Sequence, residues 1–336
     1  MGARPVTELG IDLGAAEARL RGLVHTTPVL HSRLLDRQVG RRVWLKAETF
    51  QRTGSFKARG AFNSALVGLE RGDRRGLLAI SSGNHGQAVA LAAAQLGLEA
   101  VVVMPQAASA IKRVAVRAYG AEIVSQGVDG QTRERVGAEV ASQRDLRLVH
   151  PHDDPDVISG QATVGLELAR QLLASGVEEP LVLVPLGGGG LLSGVALALR
   201  QQLPRARVVG VEPEAGDDGR QSLSRGRRVT LSQLPQTTAD GAATLQLGAT
   251  CWEVIRREVT EIVTVTDQQL GTACWWLWTR CKLVVEPTGA LALAALLSGQ
   301  VPNPPDDVAC VLSGGNCLPA QLAELIGQAP ADLGDG

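Results

Sequence analysis

Four short stretches carry the residue types from which chemistry can be built. In "TGSFKARGA", residues 53 to 61, Lys57 stands directly behind Phe56, where its neighbours tend to bury it. A buried lysine is costly unless it is paired, neutral or used covalently. In "PLGGGGLLSGVA", four consecutive glycines, Gly187 to Gly190, lie between a buried apolar run and a helix-forming one. Glycine lets backbone approach a ligand closely, and the N–H groups that open a helix attract an anion, so a phosphate is the natural guest. A tight strand-to-helix turn would need only one or two of these glycines. Neither common nucleotide motif fits: Gly194 is followed by Val195 instead of Lys-Ser/Thr, and the spacing of G-x-G-x-x-G is missing.

The third stretch, "ISSGNHGQAVALAAA", places Ser81, Ser82, Asn84 and His85 at the start of a helix. One such residue would be an ordinary N-cap. Two hydroxyls, an amide and an imidazole together can hold a substrate carboxylate and a phenolic oxygen. The fourth, "LSGGNCLP", ends a buried strand on Ser313, which by itself is ordinary turn chemistry. A lysine that must be used, a phosphate cradle and a carboxylate-holding loop point to pyridoxal phosphate. That cofactor takes a lysine through its aldehyde, glycines at its phosphate and a polar group at its ring nitrogen.

"GSFKARGA", "SSGNHGQA", "GGGGLLSG", "VEPTGA" and "SGGN" occur in this order over roughly residues 15 to 320. In that order the sequence resembles the β-family of pyridoxal-phosphate enzymes, the fold type II serine/threonine dehydratases, and within it the eukaryotic-type serine racemases. The resemblance implies Lys57 as Schiff-base lysine and general base, with Phe56 packed beside the cofactor. It implies Asn84 at the ring's phenolic oxygen, Gly187, Gly188, Gly189, Gly190 and Leu191 around the phosphate, Ser313 at the ring nitrogen, and Gly241 and Glu286 flanking the ring. Ser81, Ser82, Asn84, His85 and Arg133 match positions that hold the substrate carboxylate and its surroundings; Thr244 stands where the racemase pattern has serine.

Two further sites follow from the same resemblance. In "GVEPEAGDDGRQS", Glu212 and Asp218 would supply carboxylates and Gly216 a carbonyl to Mg²⁺ or Ca²⁺, a hard oxygen set. Read without the family, the same loop is an acidic surface turn. Ser32, Arg33, Arg52, Thr53, Tyr119, Lys282 and Asn316 are similar to the ATP effector site of serine racemases, although the match is dispersed. Two departures stand out. His152, in "HPHDDP", replaces an asparagine that serine racemases carry near the cofactor phosphate, and "ACWWLWTRCK" gathers Trp275, Trp276 and Trp278 on a helix better suited to core or interface packing than to a ligand cage.

A serine hydroxyl at the ring nitrogen cannot stabilise a full positive charge as a carboxylate would, which favours expulsion of a β-hydroxyl over transamination. The implied activity is dehydration and deamination of serine or threonine to a 2-oxo acid and ammonia. Racemisation needs a second acid/base on the opposite face, and Ser82 is the candidate. A dedicated amino-acid racemase and a non-catalytic amino-acid or nucleotide sensor are the alternatives.

The rest of the chain must position these residues. Short β-branched runs, "LLAI", "AVVVM", "AEIV" and "LRLVH", alternate with helical stretches between residues 77 and 151. The alternation restarts with "ISGQATVGLELARQLL", "PLVLVPLG", "GLLSGVALALRQQL", "ARVVGVEP", "PTGALALAALLSG" and "DDVACVLSGG". This is the pattern of parallel strands with crossover helices. The expectation is an α/β protein with a large cofactor-binding domain from residues 1–76 and 152–330, a small inserted domain at 77–151, a frayed tail at 331–336 and the active site in the cleft between the domains.

The 336 residues carry a formal net charge of −1, and only 3% are aromatic, which disfavours nucleic acid as a partner. Five cysteines without a C-x-x-C pair read as reduced thiols of a cytoplasmic protein. The opening "MGARPVTELG" lacks a signal-peptide core, Val6 stands where a myristoylation signal wants Ser or Thr, and Gln95, Gly97 and Glu99 break the longest apolar stretch. A soluble homodimer acting on a small amino acid, with no membrane span and no regulatory domain after residue 330, is expected.

Overall fold

A computed structural model describes residues 6–81, 83–106, 108, 110–301 and 303–327. Among these residues ten strands form two sheets. The larger contains β1 (Val29–His31), β2 (Arg42–Ala47), β7 (Leu181–Pro185), β8 (Arg207–Pro213), β9 (Glu261–Val265) and β10 (Asp307–Leu312), in the spatial order β1-β2-β10-β7-β8-β9. The smaller contains β3 (Leu77–Ile80), β4 (Ala100–Val103), β5 (Glu122–Val124) and β6 (Arg147–Leu148), in the order β5-β4-β3-β6. Every pairing is parallel except that of β1 with β2. This is the fold type II arrangement of two parallel α/β units.

The continuous apolar runs become central strands because helices cover both faces, and all five residues of β7 are buried. The runs expected at 77–80 and 100–104 form β3 and β4, and the helix expected at Asn84–Leu96 spans those residues. Beyond the larger sheet's core, Ala58, Ala61, Phe62 and Ala65 of the helix Lys57–Glu70 pack with Leu77, Ala79 and Ala88 of the smaller unit. That helix crosses Pro155–Ala174 so closely that a Cβ on Gly160 would lie 2.6 Å from the Arg59 carbonyl. Asp154 starts the longer helix by accepting hydrogen bonds from the N–H groups of Asp156 and Val157.

The chain order sets where chemistry can occur. The serine-rich loop leaves the end of β3, the glycine run leaves β7 and the Ser313 loop leaves β10. In parallel sheets, turns at the carboxyl ends of the strands collect on one side and form the binding crevice. Lys57 joins them because Phe56 N–H donates to the Ser313 carbonyl at 3.1 Å, and Gly315 N–H donates to the Gly54 carbonyl at 2.9 Å.

Candidate active site

A cavity of about 310 Å³ lies where these loops converge. Its wall includes Phe56, Lys57, Ser81, Asn84, His85 and Arg133, and also Gly187 to Leu191, Gly241, Thr244, Glu286 and Ser313. The expected cofactor and substrate residues that fall within the described chain therefore share one space. Ser82 lies outside the described residues.

Lys57 opens the helix Lys57–Glu70, and its Nζ donates a 2.7 Å hydrogen bond to the Pro151 carbonyl and lies 5.1 Å from the centre of the Phe56 ring. Burial lowers its pKa to about 8, against the opposing pull of Cys251 and Glu286. The uncharged amine, the state a nucleophilic or basic lysine needs, is thus far more populated near neutrality than in an ordinary lysine. Asn84 bridges two loops: its Nδ2 donates to Glu286 Oε1 at 2.6 Å, and its Oδ1 accepts from Asn316 Nδ2 at 2.7 Å. Asn316 Nδ2 also donates to the Thr53 carbonyl at 2.6 Å. Gly241 N–H donates to Thr288 Oγ1 at 3.0 Å.

His85 Nε2 lies 2.7 Å from the Val149 carbonyl and therefore carries the proton, leaving Nδ1 as a buried acceptor with no partner among the described residues. Burial, with Lys57 and His150 adding to it, lowers the His85 pKa to about 3, so the ring is neutral under ordinary conditions. Thr244 Oγ1 and Arg133 Nε are likewise buried without a hydrogen-bond partner, although Arg133 approaches Glu134 at 3.6 Å. Buried polar atoms are normally satisfied, so three such atoms lining one cavity mark a site built for a polar ligand.

The glycine run supplies the complementary half. The helix Gly190–Gln202 begins after Gly189 with no capping side chain on its first N–H groups. Gly189 has φ +101°, a conformation that favours glycine, and a Cβ there would lie 2.8 Å from Cys251 Cβ. A Cβ on Gly188 would run into the His152 ring. An uncapped helix start, glycines with no room for a side chain and a lysine of lowered pKa fit a phosphate-bearing aldehyde.

Fold and site define a pyridoxal-phosphate enzyme of fold type II, and similarity to known proteins agrees. The sequence matches the family described as "Pyridoxal-phosphate dependent enzyme" over residues 20–314, and the chain belongs to that family. It is 42% identical over 315 residues to L-threo-3-hydroxyaspartate ammonia-lyase of Saccharomyces cerevisiae, covering 94% of this chain and 95% of the relative. It is 40% identical over 315 residues to human serine racemase, covering 91% and 90%. The solved structure of a threonine deaminase superposes with a TM-score of 0.87 at 49% identity, covering 91% of this chain and 97% of that one.

The other expected sets are placed differently. Glu212 accepts hydrogen bonds from the N–H groups of Gly219 at 2.8 Å and Arg220 at 2.9 Å, while the buried Asp218 Oδ2 has no hydrogen-bond partner among the described residues. Among the described residues, no three His, Cys, Asp or Glu side chains cluster as a metal cage. Of the seven residues resembling an ATP site, only Asn316 lines the cavity. Ser32 Oγ caps the helix Arg33–Val39, Lys282 Nζ donates to the Thr279 carbonyl at 2.6 Å, and Tyr119 packs on the smaller unit's core. Arg33 and Arg52 lie outside the cavity wall, and Thr53 has φ +59°. Trp276 is core, Trp275 stacks edge-on against it at 5.9 Å, and Trp278 is 47% exposed.

Thr288, His150 and the Pro151 carbonyl belong to the cavity wall and were not anticipated from sequence. A carbonyl has no residue-type signal, and Thr288 stands inside the recognised "VEPTGA" without a marked role. A second cavity of about 350 Å³ touches Glu17, Arg21, Arg59, Glu167, Arg170 and Gln171, but the buried Arg59 and the half-buried Glu167 pair with each other at 2.7 Å. No helix among the described residues is long and apolar enough to cross a membrane.

Proposed function

We propose that this protein dehydrates and deaminates serine or threonine to a 2-oxo acid and ammonia, and interconverts serine enantiomers at the same site. The observation that carries the reading is Lys57, its pKa lowered, in one cavity with an uncapped glycine loop and unpartnered polar atoms. Pyridoxal phosphate, when bound, supplies the electron sink that lets the α-proton of an amino acid leave. Gly187 to Gly190 and Leu191 would hold its phosphate, Asn84 its phenolic oxygen and Ser313 its ring nitrogen, with Phe56, Gly241 and Glu286 around the ring.

Lys57 Nζ would hold the cofactor and would serve as the base for the substrate α-proton. Ser81 and Asn84 would orient the substrate carboxylate, while the Nδ1 of the neutral His85 ring, an acceptor, would receive a hydrogen bond from a neighbouring donor group of the substrate. Burial in the cavity limits water, so hydrolysis to the 2-oxo acid and ammonia follows release. Ser82 would act on the opposite face in racemisation.

A second substrate reading has its own support. Arg133 lines the cavity, its Nε 3.6 Å from Glu134 and without a hydrogen-bond partner among the described residues, and a guanidinium suits a second carboxylate. Relatives at 42% and 43% identity are L-threo-3-hydroxyaspartate ammonia-lyases, and an aspartate racemase structure superposes with a TM-score of 0.88 at 32% identity. A panel of L- and D-serine, L- and D-threonine and the 3-hydroxyaspartates, with 2-oxo acid, ammonia and product chirality measured, ranks these substrates. The absence of both keto acid and interconversion across that panel would refute the enzymatic reading.

Glu212, Asp218 and the Gly216 carbonyl are proposed to hold Mg²⁺ or Ca²⁺, supported by the buried unpartnered Asp218 Oδ2. ATP is proposed as an effector at Ser32, Arg33, Arg52, Thr53, Tyr119, Lys282 and Asn316, with Asn316 joining it to Asn84 in the cavity. The remaining proposals are a cytoplasmic homodimer and the division into 1–76 with 152–330 and the inserted 77–151.

A further inference from the structure

His152 sits against the glycine loop through both backbone and ring. A Cβ on Gly190 would lie 3.0 Å from the His152 Cα and carbonyl oxygen, and one on Gly188 would meet three carbons of its ring. Cys251 Sγ donates to the His152 carbonyl at 3.3 Å, and His152 N–H donates to His150 Nδ1 at 3.3 Å, which fixes the backbone. The two rings meet edge to face, with centres 4.7 Å apart. His152 lines the cavity, and neither of its ring nitrogens hydrogen-bonds to a described residue. An imidazole with both nitrogens unused beside an anion-type loop lacks a partner that a phosphate oxygen would supply.

We propose that His152 is a proton-dependent anchor of the cofactor phosphate: it takes up a proton from solvent as the phosphate binds and donates a hydrogen bond to it. This rests on the glycine loop being the phosphate site. The surrounding charges explain why the proton arrives only with the ligand. Burial is the largest influence against a cation at His152, and Lys57 on the helix Lys57–Glu70 adds to it when charged; His150 in its own loop and His85 on Asn84–Leu96 act in the same direction only when protonated. Cys251, on the helix Ala249–Glu258, is pushed by burial to a pKa above its ordinary value and stays a neutral thiol. The acids nearby are already engaged: Asp153 accepts from the N–H groups of Ala249 and Thr250, and Asp154 caps Pro155–Ala174. The cavity wall also carries Asp240, Glu134, which lies 3.6 Å from Arg133, and Glu286, which accepts from Asn84. A phosphate dianion is then the group that makes the imidazolium favourable.

The test is calorimetry of pyridoxal phosphate binding to the full chain stripped of cofactor, at pH 8, in two buffers of different ionisation enthalpy. His152→Asn is the comparison, since asparagine keeps a donor of similar size but cannot titrate. The parent should take up about one proton more than His152→Asn on binding, and its affinity advantage over the variant should shrink by up to about tenfold per pH unit as pH rises. Equal proton uptake in the two proteins overturns the proposal. If the parent shows no binding of pyridoxal phosphate, the cofactor-site reading itself fails, a different outcome. Should the variant not fold, ¹³Cε1-histidine labelling of the parent decides, because five histidines give few signals. In the loaded protein, one cavity histidine should titrate at least about one pH unit higher with pyridoxal phosphate than with pyridoxal, reduced in place on Lys57. Identical midpoints for the two ligands would also overturn it.

Discussion

Arg59 and Glu48 are joined by two 2.8 Å hydrogen bonds, and neither side chain has any exposure to solvent. Glu167 completes the clamp on the other side of the guanidinium, and Thr27 Oγ1 donates to Glu48. Arg59 lies two residues after Lys57, so the clamp fixes the first turn of the helix that presents the lysine. Removing one partner of a buried ion pair leaves an uncompensated charge and costs about 3–5 kcal/mol. Arg59→Met should therefore lower unfolding free energy by that order in denaturant titration. A loss under about 1 kcal/mol would show that the clamp is replaceable.

The lowered pKa of Lys57 predicts how the cofactor-free amine reacts with pH. Acylation or reductive alkylation at Nζ should rise about tenfold per pH unit and level off above pH about 8, not near the ordinary lysine value. Peptide mapping of the modified protein reads this directly, and a rise that continues to pH 10 would contradict the desolvated setting. Lys57→Ala should abolish turnover and the covalent cofactor mass.

Gly188 and Gly189 should fail differently. At Gly189 an alanine meets both a φ of +101° and Cys251, so Gly189→Ala should lower stability by about 1–3 kcal/mol even without cofactor. At Gly188 the obstacle is the movable His152 ring. Gly188→Ala should leave the melting temperature nearer that of the parent while weakening pyridoxal phosphate binding. Melting curves with and without cofactor separate the two, and equal behaviour would mean the four glycines form only a turn.

The runs that became β3, β4, β7, β8 and β10 were legible because strands buried on both faces are continuously apolar. β2 was hidden by a charge: Lys46 sits inside it with no exposure, paired with Glu167 from a helix far along the chain. That pairing is a tertiary fact with no local trace. The site was legible where the chemistry demands a residue type, as at Lys57 and the glycines. The Asn84–Glu286–Asn316 connection was not, because the three residues come from loops more than 200 positions apart for Asn84 and its partners.

Ser82 carries the separation of lyase from racemase through the family resemblance alone, since the residue lies outside those the structure describes. Lys57 reaches one face of the α-carbon, so a proton on the other face must come from another group. Ser82→Ala should suppress interconversion of L- and D-serine strongly, about 100-fold if it is the acid/base, while 2-oxo acid formation from L-serine falls much less. Equal interconversion by parent and variant would remove Ser82 from that role.

The cation proposal makes a pH-dependent prediction through Asp218. Burial raises its carboxyl to about 7 and places Glu212 well above the ordinary carboxylate range, with Asp218 adding to the latter. A carboxyl whose folded pKa lies above its unfolded value holds an extra proton in the native state between the two. Without a cation, its cost to stability is therefore absent at low pH and grows as pH rises from about 4 through about 7. A divalent cation replaces the lost proton, so protons and metal compete. Mg²⁺ or Ca²⁺ should raise the melting temperature more at pH 8 than at pH 6, and chelator should lower it in the same order. In Asp218→Asn the metal effect should largely vanish, and the pH dependence should shrink to the part carried by the buried Glu212. A variant that keeps the parent's full response to metal at pH 8 would place the cation elsewhere.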